Sequence, residues 1–120
     1  MSKNVSGTAL ECCCLKPRTG FYRDGFCKTG AEDVGTHVVC SVMTQEFLDF
    51  TLTQGNDLIT PNLLYDFPGL KPGDKWCLCV LRWKQAWQVG VAPLVILEAT
   101  HEKALQVVSL TVLEEYALKV

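Results

Sequence analysis

Seven of the 120 residues are cysteine and two are histidine, few enough that each can be weighed as nucleophile, base or metal ligand. Zinc takes four ligands, usually Cys and His, in a tetrahedron; the candidates are Cys27, His37, Cys40, Cys77, Cys79 and His101. Their spacing is not that of a standard zinc site, since no Cys-x-x-Cys pair is present. On a regular strand His37 and Cys40, three residues apart, point to opposite faces. Cys77 and Cys79 share a face, with Cα atoms separated by roughly 6.6 Å along a strand.

A second chemistry is a reactive thiol, which needs a neighbouring base or a positive field. Cys27 is the expected nucleophile because its Gly-rich surroundings leave backbone N–H groups open, with His37 or His101 as base. A histidine at a helix N-terminus, where His101 is expected, is favoured in its neutral form. Arg23 and Arg82 could hold an anionic substrate, and Asp24, Asp33, Asn56 and Asp57 are further loop polar groups of the kind that bind ligands. Against both stands simple packing, because a free cysteine behaves as a small buried hydrophobe. That alternative fits Cys40, Cys77 and Cys79, which lie in apolar runs, and it leaves open a non-catalytic module binding a small anion or a protein partner.

Composition narrows the field. Hydrophobic residues make up 48% of the chain and the formal net charge is -2, which excludes disorder and leaves no concentrated positive charge for nucleic acid or an anionic membrane. The glycines at 20, 25, 30 and 35 do not form a phosphate loop, since none of the G-x4-G frames continues with the required Lys. No Gly-x-Ser-x-Gly elbow occurs. The N-terminal residues contain no signal-like apolar stretch, and no run approaches the eighteen apolar residues of a membrane span. A cytoplasmic location with reduced thiols is therefore expected.

The elements that must position these residues follow from pattern. Residues 17–36 are too Gly-rich for helix, and Asp24-Gly25 suits a hairpin turn. His37–Val42 is β-branched and strand-like. Thr44 offers a cap for a helix with Phe47, Leu48 and Leu52 on its apolar face, ending at Gly55-Asn56. A turn-rich loop continues to Asp74, long enough to suggest function. Trp76–Leu81 reads as a buried strand, followed by a helix from Arg82 to Gly90. Trp76, Trp83 and Trp87 are expected as core anchors, one indole N–H finding a buried partner. Leu94–Leu97 reads as another buried strand, and Thr100 as the cap of a final helix that Ser109 interrupts. The expectation is a single α+β domain over residues 1–120, with a small central sheet, about three helices and long Gly/Pro-rich loops.

The motifs TGFYRDGFCKTG (19–30), MTQEFLDF (43–50), GNDLITP (55–61), FPGLKPGDKWCLC (67–79) and ATHEKAL (99–105) resemble the uncharacterised, mainly bacterial family catalogued as domain of unknown function 2237. The resemblance runs from about residue 5 to the C-terminus and implies no activity, substrate or cofactor. It implies that Cys27, Cys40, Cys77, Cys79, His37 and His101 belong to the family pattern, with only one of Cys12, Cys13 and Cys14. The Gly-rich segment, the 55–74 loop and the start of the last helix are expected to converge on the site.

Overall fold

The computed structural model describes residues 2–65 and 67–118. Its centre is a two-stranded antiparallel ladder, β1 (His37–Val42) against β2 (Lys75–Cys79). Three helices accompany it: α1 (Gln45–Thr53), α2 (Val80–Gln88) and α3 (Leu110–Glu115), with short 3-10 turns at Leu63–Tyr65, Leu97–Ala99 and Glu102–Gln106. The α+β class expected from the sequence is what the chain adopts, with two of the three strand-like segments, His37–Val42 and Trp76–Leu81, supplying the sheet.

Side-chain alternation gives the ladder two cores. Val39 and Leu78 are partners across the strands and join the main core with Phe47, Trp83, Val95 and Leu113. The neighbouring pair, Cys40 opposite Cys77, joins a second core with Cys13, Cys27 and Ala99. That sequence of faces follows from the period of two in a strand. A β-bulge between His37 and Val39 breaks the count at one end and sets His37 opposite Cys79. His37 therefore shares a face with Cys40, contrary to the regular-strand expectation, because the bulge inserts one unmatched residue.

Local chemistry accounts for most boundaries. Thr44 Oγ1 accepts from Phe47 N–H at 3.1 Å and starts α1, whose buried face is Phe47, Leu48 and Thr51. Leu52, expected on that face, is exposed. β2 ends at Cys79 and α2 begins at the next residue, earlier than expected, because Val80 belongs to the helical stripe with Trp83 and Ala86. Trp83 donates its indole N–H to Pro93 O at 3.1 Å, the buried partner that an inward-facing tryptophan needs.

Leu94–Ile96 does lie along β1, with Val42 N–H donating to Leu94 O and Ile96 N–H to Cys40 O. It forms isolated bridges instead of a strand, one to Ser41 and one to Ala117, with Val95 N–H donating to Tyr116 O and Leu118 N–H to Val95 O. The last helical segment splits as Ser109 suggested: His101, not Thr100, caps Glu102–Gln106, and Ser109 caps α3. Residues 17–36 make turns without a strand hairpin at Asp24-Gly25. No helix is long and apolar enough to cross a membrane among the described residues.

Candidate functional site

The sulfur chemistry is divided by pairing. Cys13 is bonded to Cys40 and Cys27 to Cys77, with Cα separations of 5.8 and 5.3 Å. Cys12, Cys14 and Cys79 remain free. Cys27 is fully buried, so the loop position that made it the expected nucleophile is misleading: its sulfur is spent on Cys77 and reaches no solvent. Cys40 and Cys77 are likewise cross-linked and are more than core filling. The expectation that all thiols are reduced also fails for these four. Cys13, from the Cys12-Cys13-Cys14 triplet, is the partner that secures the N-terminal segment to β1.

For a metal, the relevant grouping is Cys13, Cys27 and Cys77, whose sulfurs lie within 4.8 Å of one another and whose residue types suit an ion. The zinc set expected from the sequence is not assembled as such: His37, Cys40, Cys79 and His101 stand outside this group, and sulfurs in disulfides offer no thiolate to an ion.

A cleft of about 710 Å³ opens beside β2, within the range of small-molecule sites. His37 and Cys79, partners in the ladder, both line it. His37 is held by Asp33. The ring Nδ1–H donates to Asp33 Oδ1 at 2.6 Å, and Asp33 Oδ2 accepts from His37 N–H at 2.9 Å and from Thr29 Oγ1–H at 3.1 Å. The Asp33 carboxylate is wholly buried, and these three donors replace its lost hydration. With Nδ1 engaged, His37 keeps Nε2 for chemistry.

Backbone shape completes the arrangement. A Cβ on Gly35 would lie 2.5 Å from Cε1 and 3.0 Å from Nε2 of His37, so only glycine lets the imidazole lie against the chain there. Thr36 has φ of 49°, an unfavourable conformation for a β-branched residue. Its carbonyl accepts from both Val38 N–H (3.0 Å) and Val80 N–H (3.1 Å), tying the His37 loop to the first turn of α2. Cys79 is the N-cap residue of that helix, and its side chain makes no capping bond, so the sulfur is not occupied by the helix start.

The remaining cleft walls come from the Gly-rich segment and the 55–74 loop; the start of the last helix, expected to join them, does not line the cleft. Arg23, in a left-handed conformation with φ of 56°, joins them by donating Nη1–H to Gly20 O (2.7 Å) and Nη2–H to Tyr65 O (3.1 Å). Its guanidinium also lies 5.1 Å from the Trp76 ring centroid. Trp76 is thus core on one side and cleft wall on the other. Asn56 and Asp57 line the cleft. Asp57 accepts from Ile59 and Thr60 N–H, and hydrogen bonds from Thr60, then Ile59, lower its pKa below the ordinary carboxylate value.

Three expected site residues stand elsewhere. Asp24 pairs with Lys28 at 3.2 Å. Arg82 donates to Gln54 O at 3.0 Å. His101 uses Nδ1 to accept from Lys103 N–H at 3.0 Å, and burial, aided by Lys103 and opposed by Glu102, lowers its pKa. None of the three lines the cleft. Sequence reasoning undervalued Cys79 as a cleft thiol; the signal was Val80, which extends the α2 stripe by one turn and puts Cys79 at a strand-to-helix junction.

The fold and cleft therefore define a small α+β protein with a thiol, a carboxylate-supported imidazole and an apolar-walled cavity in one place. The chain belongs to the family of uncharacterised proteins conserved in bacteria, domain of unknown function 2237, whose model matches residues 3–117. No curated protein matches the chain.

Proposed function

We propose that the cleft is a thiol-based catalytic site in which Cys79 is the nucleophile, His37 the general base and Asp33 the residue that orients the imidazole. The observation that carries this reading is the register of the ladder: the bulge sets a histidine already fixed by a buried carboxylate opposite the one free cysteine that lines the cavity. Nucleophile, base and orienting acid in series are the recurring parts of covalent catalysis.

Acyl transfer is the reaction class this set supports. Cys79 sulfur bonds to the carbonyl carbon of a small ester, thioester or amide while its proton passes to His37 Nε2. The same proton then goes to the departing group, and water hydrolyses the thioester and restores the thiol. Phe21, Tyr65, Phe67 and Trp76 on the walls favour a substrate with an apolar or aromatic body.

Iodoacetamide labelling of the folded protein, mapped by peptide mass, tests it. Cys79 is half-buried and Cys12 is exposed, so exposure alone makes Cys12 react first. The expected result is the reverse, with Cys79 faster by about tenfold or more and the advantage lost in His37→Ala. Equal or slower labelling of Cys79, indifferent to His37→Ala, would leave the cleft as a non-catalytic binding site.

A further inference from the structure

We infer that Cys13, Cys27, Cys40 and Cys77 form an internal thiol–disulfide exchange site that can hold two alternative pairings, with a small thiol or dithiol as its co-reactant. Two independent features lead there. The sulfurs of Cys13 and Cys27, which belong to different disulfides, lie within 4.8 Å of each other, as do those of Cys13 and Cys77. The other two cysteines, Cys40 and Cys77, are direct partners across the β1–β2 ladder.

The ladder position is of the kind that permits a bond. Cys40 N–H donates to Thr100 Oγ1 and Cys40 O accepts from Ile96 N–H, while Cys77 N–H donates to Thr19 Oγ1. The two residues therefore exchange no backbone bonds. A non-hydrogen-bonded antiparallel pair brings Cα atoms to about 4.5 Å, inside the span that a disulfide bridges. The existing pairing, Cys13–Cys40 with Cys27–Cys77, thus has a counterpart in Cys13–Cys27 with Cys40–Cys77.

Conversion requires one external thiolate and consumes none. The thiolate bonds to Cys13 Sγ; the Cys13–Cys40 bond breaks and its electron pair leaves on Cys40 Sγ. Cys40 bonds to Cys77 Sγ and displaces Cys27 as thiolate. Cys27 bonds to Cys13 Sγ and expels the external thiolate, so the oxidation state of the protein is unchanged. Cys13, at 5% exposure against 0–1% for the other three, is the natural entry point, because exchange depends on access to the attacked sulfur. The alternative pairing would bolt β1 to β2 beneath the His37–Cys79 step and release Cys27 from β2, so the state of the cluster bears on the cleft.

The test is disulfide mapping after acid quench and alkylation at low pH. Cys40→Ser leaves Cys13 as a thiol beside Cys27–Cys77. The expected outcome is that roughly one molecule in ten or more carries Cys13 bonded to Cys27 or Cys77. In parallel, the wild-type protein incubated with a substoichiometric amount of 2-mercaptoethanol should yield Cys13–Cys27 and Cys40–Cys77 peptides. This second arm decides the matter if Cys40→Ser does not fold. Native pairs alone in the folded samples would overturn the inference. So would non-native pairs that draw in Cys12, Cys14 or Cys79 equally, since that is general scrambling and not exchange within the cluster.

Discussion

Cys77 and Cys79 are two residues apart on one strand and on one face of it, yet their sulfurs have opposite fates. Cys77 is buried, bonded to Cys27, and has its backbone N–H held by Thr19 Oγ1 at 2.8 Å. Cys79 is a free, half-buried thiol at the cleft, opposite a histidine. What separates them is the neighbour across the ladder and the end of the strand. Next to Cys77 the partner strand is regular and an incoming loop delivers a second cysteine. Next to Cys79 a bulge, a strained Thr36 and the start of α2 open the sheet. One stretch of three residues thus supplies both a structural cross-link and a candidate nucleophile, and each end can be perturbed separately.

The largest effect is expected at the paired end. Cys27–Cys77 spans 50 residues of sequence, and closing a loop of that length restricts the unfolded chain by about 4 kcal/mol. Urea unfolding of the Cys27→Ser/Cys77→Ser double variant should show a loss of this order, whereas Cys79→Ser should stay within about 0.5 kcal/mol of wild type. Equal losses would erase the distinction between the two sulfurs.

Next is Asp33→Asn, which places an amide where three donors converge. Removing a charged acceptor from buried donors destabilises by about 2 kcal/mol, read by the same unfolding experiment. It should also slow iodoacetamide labelling of Cys79 towards the His37→Ala value, because the imidazole loses its fixed tautomer. Stability lost with labelling unchanged would make Asp33 a purely structural acid. Smaller again is Thr19→Val, which leaves the buried Cys77 N–H without its acceptor and should cost about 1–2 kcal/mol, with Cys79 labelling unaffected.

These contrasts also show what could be read from residues in order. Helix α1 and its Thr44 cap, the β1 strand, the break at Ser109 and the convergence of the Gly-rich segment with the 55–74 loop were legible, because each is set by local chemistry or by turn residues. The disulfide pairing was not: choosing four cysteines from seven and then one of three pairings depends on which loops return to the sheet. The site was half legible. Asp33 and His37 stand four apart in one polar loop and were both candidates, but their alignment with Cys79 depends on a bulge that leaves no mark in composition. Cys27 misled because polar neighbours in sequence do not report the burial that distant segments impose.

The two histidines carry the comparison to its smallest expected effect. His37 donates from Nδ1 to a buried carboxylate, whereas His101 accepts at Nδ1 from Lys103 N–H, a role that only the neutral ring can fill. Burial lowers the pKa of His101 below 6.5, with Lys103 adding to the shift and Glu102 opposing it. The folded state therefore binds fewer protons at this site than the unfolded chain. Its contribution to stability is fully present above about pH 6.5 and is lost as pH falls from there through the lowered value. The corresponding loss for Asp57, whose carboxyl is lowered from 3.8, belongs to a more acidic window. Urea midpoints at pH 7.5 and 5.5 should thus fall further for wild type than for His101→Asn, which keeps an N-cap acceptor but has no proton to gain. If both proteins lose the same amount, the pH response of the fold belongs to other groups and His101 is a cap indifferent to charge.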